Sequence, residues 1–152
     1  NLKFEDNSFD VVTCRFAAHH FADIRKFLSE TKRVLKPNGK LVLEDIIAPS
    51  SKPMDDFVNE INQLRDNTHV KELSELEWES ILQEYGFNLL HKHDNPIKHD
   101  LIDWFNRAKT STENRKKILQ KFENSSESQN QFQVDSDLNS FVEDSMIFTA
   151  RI

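Results

Sequence analysis

Four side chains able to do chemistry lie within seven residues of one another in the stretch NSFDVVTCRFAAHHF, residues 7 to 21. They are the thiol of Cys14, the guanidinium of Arg15 and the adjacent imidazoles of His19 and His20. A thiol with two imidazoles could bind a metal, and a histidine with a pKa near neutrality could act as a general base. The remaining alternative is that a buried strand ends here and that its polar residues are solvated.

The metal interpretation has little support in the spacing of these residues. A closed zinc site needs four ligands, usually at spacings such as CxxC or HxxxH, and Cys14, His19 and His20 show neither spacing. A second pair, His91 and His93, would share one face of a strand, but the lysines and the aspartate around it indicate an exposed edge. We therefore predict no metal site.

The two adjacent histidines are the catalytic candidates. Side chains that follow one another on an extended segment point to opposite sides, so at most one of His19 and His20 is expected to face a pocket. We assign His20 as a polar positioner or general base, with His19 next to it. The alternative is that one imidazole caps the following helix and that the other is solvated.

Composition limits the class of protein. The 152 residues are 37% hydrophobic and 30% charged, which is typical of a single globular domain with a sizeable core. No apolar stretch is long enough to span a membrane, and the acidic first residues do not resemble a signal sequence, so we expect a cytoplasmic location. The net charge of −6 disfavours nucleic acid and anionic membranes as partners. The single cysteine excludes an intrachain disulfide.

The sequence contains only two glycines, Gly39 and Gly86, and they lie far apart. Each follows a helical pattern, where a left-handed helix stop commonly requires glycine. Neither the GxGxxG dinucleotide fingerprint nor the GxxxxGK[ST] phosphate loop can be written with these residues. These 152 residues therefore carry no glycine-rich nucleotide loop.

The first elements form a βαβ pattern. Residues 9 to 14 are β-branched and apolar at successive positions, which predicts a strand covered on both faces. Apolar residues at helical spacing follow from 23 to 35, and the segment KPNG at 36 to 39 ends that helix. A second apolar run, KLVLEDII, starts at once. The two strands are expected to be parallel.

The rest of the chain is predicted to be mainly helical. We predict helices after the PSSKP break and around 77 to 87, where Ser74 and Glu77 have capping-box spacing. One or two further helices are predicted over 100 to 123. Strands are predicted at 88 to 94 and at the C-terminal SMIFTARI, the latter as an antiparallel edge partner, and the polar segment 123 to 137 is predicted to be an exposed loop.

Two stretches carry a resemblance to a known family. "LKFEDNSFDVVTCRFAAHHF" and "FLSETKRVLKPNGKLVLEDIIAP" resemble the second half of a class I, Rossmann-like S-adenosylmethionine-dependent methyltransferase. The branch is the one that includes the ubiquinone and menaquinone biosynthesis methyltransferases. Positions that match the family's approach to its fourth strand are Leu2, Phe4, Asn7, Ser8, Phe9 and Asp10. Residues 33 to 39 match its RVLKPGG segment, with Asn38 in place of a glycine.

The resemblance implies an α/β fold, namely the fourth to seventh strands of a Rossmann-like sheet with the last strand antiparallel. Residues 53–87 and 100–123 would be lid or insert helices of that single domain. In the family, a glycine-rich loop and two acidic residues that hold the cofactor precede the first stretch. We therefore expect residues 1–152 to be the C-terminal part of a methyltransferase domain without its N-terminal cofactor-binding half.

The resemblance also implies roles for individual residues. Arg15, Phe16, Ala17 and His20 would line the methionine end of S-adenosylmethionine and the substrate pocket, with His19 next to them, and this is why His20 is chosen over His19. Leu2 and Phe4, in the preceding segment, are included among the cofactor-binding residues.

Three further residues are implied as substrate or lid residues: Asp45, Arg65 and His69. Asp45 ends the second strand, where it could orient a substrate proton or cap the next turn. Arg65 and His69 lie in LRDNTH, where a closing lid could bring them to a substrate, although a surface ion pair with a helix cap would also explain them.

The function implied is the transfer of a methyl group to a small-molecule acceptor, with this chain expected to be inactive on its own. An alternative is a non-enzymatic remnant that acts as a dimerisation or binding module. Because the first strand would lack its neighbour, its edge is expected to pair with the same strand of a second chain. We therefore predict a homodimer.

Overall fold

The computed structural model describes residues 2–152 as an α/β structure. The strands are β1 (Phe9–Arg15), β2 (Leu35–Ile46), β3 (Asn88–Asp94), β4 (Ile97–Asp100), β5 (Ser140–Glu143) and β6 (Ser145–Arg151). The helices are α1 (Ile24–Val34), α2 (Lys52–Arg65), α3 (Glu75–Glu84), α4 (Leu101–Arg107), α5 (Thr112–Glu123) and α6 (Ser126–Gln131). None of the helices in this described part is long and apolar enough to cross a membrane.

The main sheet has four strands in the order β1–β2–β6–β3. β1 and β2 are parallel, while β6 runs antiparallel to both β2 and β3, so the mixed sheet with an antiparallel last strand is confirmed. The prediction that the last strand lies at an edge is wrong, because β6 lies between two strands. Met146, Phe148 and Ala150 of β6 are buried, and the central position keeps these apolar side chains away from solvent.

The βαβ unit forms as predicted. Asp23 caps α1 by accepting the backbone N–H of Lys26 at 2.9 Å, so the helix cap is an aspartate and not a histidine. β2 begins at Leu35 directly after α1. Its KPNG segment interrupts the regular pairing with β1, in which Phe9 is opposite Leu35 and Val11 is opposite Lys40. This unit brings the carboxyl ends of β1 and β2 to one rim of the sheet.

The prediction that β1 is covered on both faces is wrong for this chain. Cys14 is buried in the main core, but Val11 is 49% exposed. In the described part of the chain β1 pairs only with β2, so its other edge is free. Val12 and Cys14 contact the main core while Val11 and Thr13 are exposed, so one face of β1 is covered in the described residues.

The apolar side chains form two cores. One lies against the main sheet and includes Trp78 and Leu82 of α3, whose capping box between Ser74 and Glu77 is present as predicted. The other joins α2, α4, α5 and β5, with Phe122 and Phe141 fully buried in it. We call the elements of this second core, together with α6 and β4, the insertion. The segment 53–87 thus contributes one helix to each core.

The segment 123 to 137, predicted to be a loop, contains the short helix α6. Ser125 caps it by accepting the backbone N–H of Ser128 at 3.1 Å, and Phe132 directly after it is buried. The segment is polar in composition, but it still forms a helix, which a serine caps and which one buried phenylalanine connects to the core.

Candidate functional site

A cavity of about 480 Å³ opens where the carboxyl ends of β1 and β2 face the insertion. Its sheet side is lined by Arg15, Phe16, His19, His20 and Ile46. Its insertion side is lined mainly by Arg65, Ile97, His99, Trp104, Arg107 and Glu143. Asp66 and Asn95 complete the lining, which therefore combines three arginines and two carboxylates with aromatic and apolar side chains.

The segment after β1 turns sharply into this cavity. Phe16 has a φ of +45°, and its backbone N–H donates to Glu44 O at 2.8 Å. A single 3-10 turn, Ala18–His20, follows at once. The segment is therefore not extended, and the prediction that only one histidine faces the pocket is wrong: both line the cavity, with ring centroids 4.2 Å apart.

His19 has a buried carboxylate as its partner. His19 Nδ1 lies 2.5 Å from Asp45 Oδ1, and the backbone N–H of His19 donates to Asp45 Oδ2 at 3.0 Å. Asp45 is 1% exposed and also accepts the backbone N–H of Ile46 at 2.9 Å. Since a carboxylate can only accept, the proton of a neutral His19 lies on Nδ1, and Nε2 carries a free lone pair.

His20 is connected to a carboxylate through a hydroxyl. Its Nδ1 lies 3.1 Å from Thr68 Oγ1, and that hydroxyl donates to Asp66 Oδ1 at 2.7 Å. The hydrogen bonds from Thr68 lower the pKa of Asp66 and keep it ionised. Thr68 must therefore accept from His20, which leaves Nε2 of His20 unprotonated in the neutral ring. The direct carboxylate contact belongs to His19, and His20 has the weaker, relayed one.

His69 lies behind these two rings rather than in the cavity lining. Its ring centroid is 5.8 Å from that of His19, and its Nε2 donates to Asn59 Oδ1 at 3.0 Å. Burial lowers the pKa of His69 to about 4, and the nearby charges of His19 and His20 add to this shift. His69 is therefore neutral near pH 7 and packs beside the His19 ring without carrying a charge.

Arg15 is held at the rim by an ion pair. Its Nε lies 2.5 Å from Glu44 Oε2, and its guanidinium stacks on the Phe16 ring at 4.6 Å. Asn95 Nδ2 donates to the other oxygen of Glu44 at 2.9 Å. The charge of Arg15 is thus already compensated.

Arg65 lies on the insertion side and is held by groups other than a direct ion pair. Its Nε donates to Trp104 O at 3.0 Å, and its guanidinium lies 4.8 Å from the centre of the Trp104 ring. Burial lowers the pKa of Arg65; the charge of Glu143 opposes this shift and that of Arg107 adds to it. The alternative of a surface ion pair does not apply to Arg65, because an aromatic ring and a carbonyl hold it.

Sequence reasoning missed a buried polar network that joins the insertion to the sheet. Asn62 Nδ2 donates to Glu72 Oε1 at 2.5 Å and to Glu143 Oε1 at 2.8 Å. His99 Nε2 lies 2.9 Å from Glu143 Oε2. Burial, together with the charge of Glu143, raises the pKa of Glu72 well above its ordinary value, so Glu72 is held as a neutral acid.

Burial also raises the pKa of Glu143, but the hydrogen bond of His99 leads the opposing contributions and, with the hydrogen bond of Asn62 and the charge of Arg65, holds the pKa of Glu143 below its ordinary value. Glu143 therefore remains ionised while Glu72 is neutral. Glu143 and His99 come from β5 and β4, two short strands that the sequence pattern did not predict. Their polar residues, spaced far apart in sequence, offered no local signal.

Cys14 lies apart from the chemistry of the two histidines. It is 8% exposed, and burial raises the pKa of its thiol to about 11. Over residues 2–152 there is no group of three or more histidine, cysteine, aspartate or glutamate side chains that could hold a metal ion. His91 and His93 lie exposed on β3.

The structure brings most of the predicted site residues together. Arg15, Phe16, His19, His20 and Arg65 line one cavity, and Asp45 and His69 lie directly behind it; Ala17 connects Phe16 to the 3-10 turn.

Leu2 and Phe4 are not part of this group. Their backbone carbonyls accept from the Arg33 guanidinium at the last turn of α1, which lies at the other end of β1. Their proposed contact with a cofactor stays a prediction.

Comparisons with known proteins agree on one family. Residues 1–43 match the family model of the methyltransferase domain. The chain is 41% identical over 121 residues to the uncharacterized methyltransferase YcgJ of Bacillus subtilis, covering 78% of this chain and 47% of YcgJ. A stretch of 52 residues is 44% identical to demethylmenaquinone methyltransferase of Thermotoga maritima, covering 34% of this chain and 23% of that protein. The chain spans about half the length of the first two curated relatives it matches.

Solved structures extend the match over nearly the whole chain. A candidate methyltransferase of Bacillus halodurans superposes with a TM-score of 0.94 and 33% identity, covering 99% of this chain and 73% of that one. The YcgJ structure superposes with a TM-score of 0.88 and 34% identity, covering 99% of this chain and 67% of that one. The similarity therefore includes the insertion as well as the sheet.

Proposed function

Since the chain belongs to the class I S-adenosylmethionine-dependent methyltransferases, we propose that it forms the acceptor side of an enzyme that methylates a small molecule. The observation that carries this proposal is the His19–Asp45 pair at the rim of the sheet, where an open α/β sheet binds its ligands. The cavity beside it has the volume of a small-molecule site.

The residues at the end of β1 fit one wall of a cofactor site. Phe16 turns the backbone outward beside the free edge of β1, and Arg15 and Phe16 already line the cavity. By resemblance to the family, Arg15, Phe16 and Ala17 would hold the methionine end of S-adenosylmethionine. When bound, the cofactor supplies an activated methyl group, whose bond to sulfur breaks as the acceptor's lone pair forms the new bond to carbon.

The chain's own task is then to remove the acceptor's proton and to hold the acceptor in line. His19 Nε2 carries the lone pair that takes the proton, and the carboxylate of Asp45 stabilises the resulting imidazolium through Nδ1. The insertion covers the cavity opposite His19, which limits access of water during transfer. His20, which we first assigned as the base, lies beside the same cavity and serves as a positioner.

The proposal is tested by a methyl-transfer assay on the natural polypeptide that contains this sequence. Methyl-labelled S-adenosylmethionine is supplied with a small-molecule extract as the source of acceptors, and labelled products are counted. His19→Gln is expected to lower the turnover rate by about 10²–10⁴-fold, the usual contribution of a general base. His93→Gln, an exposed histidine on β3, is the matched control and is expected to keep the rate.

The pH profile separates a base from a structural histidine. With His19 as the base, the wild-type rate is expected to rise with pH, and His19→Gln is expected to remove that rise. His20→Gln is expected to change KM more than kcat. Full activity in His19→Gln together with a lost rate in His20→Gln would assign the base to His20, and unchanged rates in both would refute the proposal.

A further inference from the structure

The cavity contains two guanidinium groups whose N–H donors are only partly used by the protein. Arg15 is paired with Glu44, but none of the ion pairs found among residues 2–152 includes Arg65 or Arg107. The two cavity carboxylates accept from other groups: Asp66 accepts from Thr68, and Glu143 accepts from Asn62 beside His99. The charge of Glu143 acts on Arg65 from a distance, but neither guanidinium has a carboxylate in direct contact, so their remaining N–H groups can bind an anion.

Arg107 is fixed by a contact that leaves its charge free. Its Nη2 donates to His99 Nδ1 at 3.1 Å. Since a guanidinium can only donate, His99 must accept through Nδ1 and carry its proton on Nε2, next to Glu143. A neutral imidazole thus orients the Arg107 guanidinium and does not neutralise it.

Arg65 is fixed in a similar way. Its Nε is used by the Trp104 carbonyl and one face lies on the Trp104 ring, which leaves the two terminal nitrogens without a hydrogen-bond partner in the described chain. Burial is the main cause of the lowered pKa of Arg65; the charge of Glu143 opposes this shift and that of Arg107 adds to it. Two like charges held in one cavity by neutral groups are a typical arrangement for binding an anion.

Apolar side chains line the cavity as well. Phe16 and Ile46 lie on its sheet side, and Ile97 lies on its insertion side with the two arginines. A ligand that uses both kinds of lining has an anionic group at one end and an apolar body.

We propose that the methyl acceptor is a small organic acid, whose carboxylate or phosphate is bound by Arg65 and Arg107 while its body packs against Phe16, Ile46 and Ile97. This inference rests on the proposed function, because it places the methyl-accepting atom beside His19. It adds the chemical class of the acceptor, which the family does not supply.

The test is a binding experiment that needs neither cofactor nor turnover. The folded protein is titrated with hexanoate, hexyl phosphate, hexanol and hexylammonium, four probes with the same apolar chain and different heads. The readout is the NMR signal of the Arg65 Nε–H group together with the ring signals of His19 and His20. Saturable shifts are expected with one or both anions, and the tighter of the two identifies the head as carboxylate or phosphate.

Matched variants locate the binding groups. Arg107→Gln and Arg65→Gln are each expected to weaken anion binding about tenfold or more, as loss of a charge-assisted contact does. Arg107 is exposed, so its variant tests the proposal even where Arg65→Gln fails to fold. Arg25→Gln, which breaks an exposed ion pair with Glu84 outside the cavity, is the control and is expected to bind as the wild type does.

Equal binding of hexanol and the anions, or unchanged anion affinity in Arg107→Gln, would overturn this inference. The outcome is separate from that of the methyl-transfer assay. If His19→Gln abolishes transfer while the anions bind without Arg107, only the acceptor class is wrong. If anions bind as expected while His19→Gln retains full transfer, the class stands and the assigned base is wrong.

Discussion

His19 Nδ1 lies 2.5 Å from Oδ1 of the buried Asp45, across the rim formed by the ends of two parallel strands. The contact fixes the ring's tautomer and directs its proton toward the protein, so Nε2 is left as the basic atom. A carboxylate that orients an imidazole in this way also stabilises the imidazolium formed during proton transfer.

We expect Asp45→Asn to lower the methyl-transfer rate by about 10²-fold or more, because the amide can donate to Nδ1 and so favour the wrong tautomer. The measurement is kcat of the natural polypeptide that contains this sequence. Asp66→Asn, which acts on His20 only through Thr68, is the control and is expected to cost less than about tenfold. The reverse order of effects would place the base on His20.

The lowered pKa of His69 predicts that the folded protein loses stability as the pH falls. The folded state holds its pKa at about 4, below the ordinary value of 6.5, so the neutral form is favoured on folding. Its contribution is complete above pH 6.5 and is lost as the pH falls from there toward 4. We expect the free energy of unfolding to fall by about 1–2 kcal/mol between roughly pH 7.5 and 5 on this account.

Urea unfolding at a series of pH values measures this loss. His69→Gln keeps a donor for Asn59 but cannot be protonated, so its unfolding free energy is expected to change less over the same range. His91→Gln, on exposed β3, is the control and is expected to follow the wild-type curve. A His69→Gln curve parallel to that of the wild type would contradict the assignment.

Glu72 gives the opposite sign. Its pKa is raised by burial and by Glu143, so folding favours the protonated acid. The stability it contributes is present below its ordinary pKa of 4.5 and is lost as the pH rises through the raised value. Glu72→Gln mimics the neutral acid. We therefore expect the unfolding free energy of the variant, relative to that of the wild type, to be higher at alkaline pH than at acidic pH by about 1 kcal/mol or more.

The measurement is the difference in unfolding free energy between Glu72→Gln and the wild type at pH about 5 and 8.5. Glu79→Gln, an exposed partner of Lys92 on the sheet side, is the control. A difference that is constant over this pH range would show that Glu72 is ionised in the folded protein.

The free edge of β1 gives a prediction about assembly. The 152-residue chain by itself is expected to form a homodimer by pairing β1 with β1 of a second copy, since Val11 is half exposed and the edge has no proline or lysine to block it. Val11→Lys is expected to shift the species toward monomer in light scattering at fixed concentration. Ile102→Lys, which adds the same charge at an exposed residue of α4, is the control. A strictly monomeric wild-type chain would contradict the prediction.

Much of the sheet could be predicted because its signals are local. Strand β1, helix α1 and strand β2 each carry an apolar pattern, and the KPNG segment correctly indicates that α1 has ended, although the structure includes this segment in the first part of β2. The position of β6 could not be predicted in the same way. An antiparallel strand has the same hydrophobic pattern at an edge of the sheet as in its centre. Its position is decided by the burial of the neighbouring strands, which the pattern does not contain.

The part of the site that could be predicted from the sequence is the set of residues at the carboxyl ends of β1 and β2. Arg15, His19 and Asp45 follow from the rule that parallel strands end together. The tight 3-10 turn that brings His19 and His20 to one side depends on the positive φ of Phe16, for which the sequence has no glycine as a signal. His99, Arg107 and Glu143 come from the insertion, and their approach depends on long-range packing.

The most direct test of the account is whether the protein uses S-adenosylmethionine through the end of β1. The natural polypeptide that contains this sequence is titrated with S-adenosylhomocysteine by calorimetry, and the backbone amide signals of Phe16 and Ala17 are followed by NMR. We expect saturable binding in the micromolar range together with shifts of both amides. No heat from a sample shown to be folded, or binding that leaves both amides unmoved, would contradict it.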